Sequence, residues 1–312
     1  MKKLLMFVMT GVLAVSTIAG SSGTATAAAS KGNQKQIEVL LNARKIAFPD
    51  AKPYQDSSER VKVPIRFVSE ALGAKVSWNK SKVTIQKGES SVELTIGQAT
   101  AVINGQTKTY DTKIELKQNR TFVPLRLVSE ALGENVDWDA VGRWVWIGKK
   151  DAPKLEDIGF KGVDVEPYKK WFTLNPELLK NTFDKPYEKI MFFKKSDLPV
   201  SFVRDIYDID TYIDQKTTAS YLTLRAKATT RSPGNLFYVT KYGDTRFRYA
   251  KADMSVRNGD GTTTYFYLIS STADEVYYGD KVKMDISLKD ITYIGFAYGS
   301  VDYIPLMENP WR

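Results

Sequence analysis

Residues 63–78 read VPIRFVSEALGAKVSW, and sixty positions later residues 123–138 read VPLRLVSEALGENVDW. Aligned without a gap, residues 61–79 and 121–139 share eleven identities in nineteen pairs. A near-copy this sharp means that one local structure must form twice, in a unit of roughly 50 residues. The flanks repeat as well. VLLNARKIAF (39–48) echoes AVINGQTKTY (101–110), with Asn42 opposite Asn104, and KVTI (82–85) echoes WVWI (144–147). Repeat boundaries of about 37–87 and 92–148 follow.

Each copy has a physical reading. Asn104-Gly105, with Asn42 in the same place, is a hairpin signal because tight two-residue turns need left-handed backbone. Pro64 and Pro124 are expected at the first helical position, where no amide donor is needed. Ile65, Val68 and Leu72 then fall on one helix face, as do Leu125, Val128 and Leu132. Gly73 and Gly133 stand where a left-handed cap ends a helix. Val-x-Trp, ending at Trp78 and Trp138, alternates like a strand, and both tryptophans are expected in the core, with a sugar-stacking platform as the competing reading. Arg66 with Glu70, and Arg126 with Glu130, are spaced as ion pairs that steady the helix rather than as a binding pair. The order is hairpin, short helix, strand, strand: an α+β module of two βαββ-like repeats.

These residues closely resemble the stalk domain, also called the copper amine oxidase-like N-terminal domain, over residues 36–149. The resemblance implies a small α+β accessory module joined to varied partner domains in exported bacterial proteins. It does not bring the oxidase chemistry, which needs three histidine ligands and a modified tyrosine, because the chain has no histidine.

With neither His nor Cys, zinc hydrolysis and Ser-His-Asp or Cys-His catalysis are excluded, and disulfides cannot form. Carboxylate or lysine chemistry and oxygen-ligand metals remain. The chain opens with MKK, an apolar run over 4–20, and TATAAAS, which together read as a signal peptide over 1–29. Cleavage is expected after Ala27, with Ala29 next. The competing reading is an uncleaved anchor, for which the run is short against a span of about 20 residues. The expected location is secreted or extracellular, either free or held non-covalently to a Gram-positive cell wall.

Charge divides the remainder. Residues 28–150 carry 20 Lys+Arg against 13 Asp+Glu, whereas residues 151–312 carry 23 of each. GKKDAPKLED (148–157) is read as the linker between the stalk domain (30–150) and a C-terminal domain (151–312). The second domain shows eight short aromatic and β-branched runs separated by turn signals, which point to a mostly antiparallel sandwich or barrel. Asp205, Asp208, Asp210 and Asp214 are its candidate ligand or acid residues, as a Ca2+ site or a glycoside-hydrolase pair. Edge-strand charge is the competing explanation. RNGDGTTT is read as a hairpin turn, and Arg246 and Arg248 as a solvated face opposite Phe247 and Tyr249. Tyr265–Tyr267, Tyr277 and Tyr278 are candidates for a sugar-binding face.

No catalytic, cofactor-binding or metal residue is assigned, and no cofactor is expected. The expected partner is an anionic cell-wall polymer or polysaccharide. Nucleic acid is not expected, nor a membrane after signal cleavage, and the oligomeric state is left open. The expected function is a non-enzymatic surface protein whose stalk module carries a β-rich interaction domain. The alternative is a polysaccharide hydrolase or a carbohydrate-binding module at the C-terminus.

Overall fold

The computed structural model describes residues 35–202, 204–227, 234–297 and 301–312, and of Ser129 only the backbone. The leader read over 1–29 lies outside these residues. Residues 35–312 form one compact unit that is mostly β. Among the described residues no helix is long and apolar enough to cross a membrane.

The first core gathers residues between Ile37 and Ile147. Two short helices pack on it, α1 (Ile65–Ala71) and α2 (Leu125–Leu132), each burying the expected triplet. Gly73 and Gly133 end them in left-handed backbone, with φ of 77° and 72°. Pro64 differs from expectation. It closes the strand Val61–Pro64 and caps α1 with ψ 113°, so the ring fixes a helical φ while the residue stays extended. Pro124 likewise closes Arg120–Pro124.

The two copies meet directly. Val61–Pro64 and Arg120–Pro124 pair antiparallel, Val63 opposite Val123. Their later strands then part. Lys75–Asn79 and Lys82–Lys87 enter a five-stranded sheet, while Val136–Asp139 and Trp144–Ile147 join Glu38–Leu41, the last pair running parallel. Lys75–Asn79 and Val136–Asp139 are both outermost strands. Trp78 and Trp138 are therefore 43% and 41% exposed, not core residues. A strand with no neighbour on one flank leaves a large ring half uncovered.

Beyond residue 150 two sheets enclose a second core. The five-stranded sheet is ordered Val200–Ser201, Asp205–Ile213, Ser220–Lys227, Thr263–Leu268, Val256–Arg257. The six-stranded sheet is Val163–Asp164, Lys189–Phe193, Tyr303–Glu308, Ile291–Phe296, Leu236–Thr240, Thr245–Arg248. Its inner strands are buried on both faces, while the outermost Val163–Asp164 is exposed. Leu236 and Tyr238 meet the five-stranded sheet, while Phe237 and Val239 pack under the 3-10 turns Glu166–Phe172 and Pro176–Leu179. Lys189–Phe193 and Tyr303–Glu308 run parallel, so the sheet is mixed rather than wholly antiparallel. One of the eight β-branched runs, KVKMDIS (281–287), is not a strand. Ser287 and Asp290 there form a capping box on the 3-10 turn Leu288–Asp290, spending the segment's hydrogen bonds locally.

Polar and aromatic contacts join the two cores. The Arg225 guanidinium, nearly buried, donates to Asp139 at 2.7 Å, with Asp260 on its other nitrogen at 2.5 Å. Tyr207 packs against Trp144 and Trp146. Residues 148–157 are pinned too, since Leu155 is buried in the second core.

Candidate functional site

The acidic quartet does not assemble as a site. Asp208 and Asp210 lie along Asp205–Ile213, beyond the short neighbour Val200–Ser201, and there they meet two lysines. Lys35 Nζ is 2.6 Å from Asp208 and 3.3 Å from Asp210, while Lys195 Nζ is 3.9 and 3.6 Å away. Burial pushes the Asp210 carboxyl up, but Lys195 and Lys35 outweigh it and hold the group below the usual carboxylate range. Burial lowers Lys35, yet the two aspartates carry it above the ordinary lysine value. A general acid must hold its proton near neutral pH, and this arrangement favours the ionised carboxylate. Asp214 turns away to accept backbone amides from Lys216 and Thr217, and Asp205 starts the strand opposite Lys227. Among the described residues no cluster of carboxylates could hold a metal ion. RNGDGTTT is a turn: Asp260 accepts the Thr262 amide and hydroxyl as well as Arg225.

The Arg-x-Arg strand is inverted relative to expectation. Arg246 and Arg248 are 0% and 3% exposed, whereas Tyr249 is 64% exposed. The cause is visible at Arg248. Its Nε donates to Leu268 O, and its Nη atoms donate to Phe247 O, Ile269 O and both Asp274 oxygens. All five donors find acceptors, so the side chain tolerates burial. Arg246 instead lies over the Tyr278 ring, with Asp244 and the Lys283 carbonyl on one nitrogen.

That inversion builds a cleft of about 390 Å3 between the edge strand Thr245–Arg248 and the helix α3 (Ala273–Tyr278). The pleat sends Phe247 and Tyr249 to the outer face, where their rings meet edge-to-face at 4.9 Å. On α3, Tyr277 points outward, 69% exposed, while Tyr278 is buried. The Tyr278 hydroxyl donates to Asn175 at 3.0 Å, and the Asn175 amide donates to Thr245. The floor is thereby locked by hydrogen bonds and the rim is aromatic. Glu177 and Lys251 line the mouth. Two carboxylates reach the cleft, but Asp274 is committed to Arg248, so no acid pair is available for hydrolysis. The geometry suits stacking and hydrogen bonding. Of the candidate aromatics, Tyr277 and Tyr278 reach this cleft, joined by Tyr249, which was not a candidate, whereas Tyr265 and Tyr267 are buried in the core between the sheets. Sequence reading missed Asn175 and Asp274, and only their hydrogen-bonding side chains in an apolar context hinted at them.

Residues 40–147 match the family described as Copper amine oxidase N-terminal domain. The first module is a domain of that family, as the duplicated motif implied. No curated protein matches the chain.

Proposed function

We propose that this is an exported, non-enzymatic binding protein, in which the copper amine oxidase N-terminal-type module carries a β-rich domain that holds a polysaccharide of the cell wall. In this reading residues 1–29 are a cleaved leader, 30–150 a duplicated βαββ module and 151–312 the binding domain. The observation that carries the proposal is the cleft rimmed by Tyr249, Phe247 and Tyr277 over the locked Arg248–Asp274 floor. The exposed Tyr249 and Tyr277 rings beside planar polar groups match the apolar ring faces and equatorial hydroxyls of sugars. The hydrolase alternative has less support, since Asp208 and Asp210 are held by Lys35 and Lys195. The net charge of residues 28–150, 20 cationic against 13 anionic, adds a salt-sensitive attraction to an anionic wall.

Sedimentation with purified Gram-positive walls across a salt series tests this reading. Binding that weakens with salt, without release of reducing ends, is the expected result. Absence of binding at low salt would overturn the proposal, and steady release of reducing ends would replace it with the hydrolase.

A further inference from the structure

The duplicated motif leaves something that neither helix capping nor core packing uses. Each copy ends in a tryptophan on an outermost strand, and the two are exposed to nearly the same extent, 43% for Trp78 and 41% for Trp138. Each stands in a groove with the proline and arginine of its own copy. The first groove, about 310 Å3, combines Trp78 with Pro64, Arg66, Lys80 and Arg120. The second, about 980 Å3, combines Trp138 with Pro124, Arg126, Arg60 and Tyr110. Both volumes fall in the range of small-ligand sites. Beside each tryptophan runs an arginine–glutamate pair, Arg66 to Glu70 at 2.8 Å and Arg126 to Glu130 at 2.6 Å. The Tyr110 hydroxyl in the second groove is buried and has no hydrogen-bond partner among the described residues.

We infer that the two grooves are a pair of polysaccharide-binding subsites, so that the module itself grips a glycan strand at two points related by its duplication. The chemistry selects the occupant. A half-exposed indole takes the apolar face of a pyranose ring on one side, and at Trp78 the Arg66 guanidinium lies over the ring, 5.7 Å from its centroid. In the second groove the Arg126–Glu130 pair offers donors and acceptors together, and in the first the Asn119 amide lines the groove with Arg66 and Arg120, so each wall offers an acceptor with its donors, as sugar hydroxyls require and as a simple anion does not. An extended peptide added to the outer strands is disfavoured by their charge, with Lys75 on one and Asp137, paired to Lys150 at 2.8 Å, on the other. The site is separate from the tyrosine cleft, although it rests on the same reading that the ligand is a polysaccharide.

The test uses the whole chain with its cleft disabled by Tyr249→Ala and Tyr277→Ala. Electrophoresis through gels cast with hydroxyethyl cellulose or polygalacturonate, and pull-down on cellulose and chitin, measure retention, while circular dichroism confirms folding. The cleft-disabled chain should still be retained by at least one polymer. Trp78→Ala or Trp138→Ala should each weaken retention roughly tenfold, and both together should abolish it, because two linked sites add avidity. Arg66→Ala with Arg126→Ala, changes confined to the surface, should weaken it in the same direction. Retention unchanged in the double tryptophan variant overturns the inference, as does a cleft-disabled chain held by no polymer. In the latter case, retention of the chain with its cleft intact leaves the cleft proposal standing. Displacement by an extended peptide but not by oligosaccharides would also overturn it.

Discussion

Arg246 and Arg248 sit two residues apart on one strand, and both are buried, yet they stand on different energetic footing. Arg248 has an acceptor for every donor and a bidentate carboxylate in Asp274. Arg246 leaves Nε and one Nη without a hydrogen bond among the described residues. Removing Arg248 strands the buried Asp274 charge, whereas Asp244 keeps the Thr240 hydroxyl after Arg246 is gone. Arg248→Met should therefore cost about 3–5 kcal/mol in urea unfolding. Arg246→Met should be close to neutral, because an apolar replacement removes unsatisfied donors. Equal losses in the two variants would contradict this account. Neither role was legible in RFRY. Alternation shows that 246 and 248 share a face but not which face is covered, and that depends on Asp274, twenty-six residues further on.

At the scale of elements, the duplicated helices were the most legible part of the chain. The apolar triplets, the terminal glycines and the Asn-Gly turn are local signals, and each states its own geometry. Asn104 and Gly105 both have positive φ, as do Asn42 and Ala43, which the paired turns require. A Cβ placed on Gly73 or Gly133 would meet nothing within 4 Å, so substitution is charged only for left-handed backbone. Gly73→Ala and Gly133→Ala should each destabilise by roughly 1 kcal/mol, with no change in the folded spectrum. A cost several times larger would mean that packing, not φ, selects glycine there. Strand assignment beyond residue 150 was harder to read. YIPLME carries Pro305, a signal for an edge strand. Tyr303–Glu308 is nevertheless central, because its pairing with Ile291–Phe296 covers only 306–308 and leaves Pro305 past the end of that ladder. The half-exposure of Trp78 and Trp138 was hidden for a related reason: which strand is outermost is a property of sheet order, which the local pattern does not encode.

Across the whole molecule, the ion cluster of Lys35, Lys195, Asp208 and Asp210 ties the start of the first module to the second core's sheet. Asp210 is held below the ordinary aspartate value, so its contribution is present above that value and is lost as pH falls through the lowered one. Asp210→Asn should lower the unfolding midpoint at pH 7, and the gap from the unmodified chain should close below about pH 4. A gap that persists at low pH would mean that the aspartate acts through packing instead. The composition had excluded histidine and cysteine chemistry from the outset, but the cleft could not be read from sequence. Its floor joins Asn175, Thr245, Arg248, Asp274 and Tyr278, which only the folded sheet brings together. The central claim is that this cleft binds sugar and does not cut it. The most direct measurement is calorimetric titration of the full chain, and of its Tyr249→Ala/Tyr277→Ala variant, with oligosaccharides released from purified wall and polysaccharide. The account predicts saturable binding with a negative heat-capacity change, weakened at least tenfold in the variant. Equal affinity in the two proteins would contradict it.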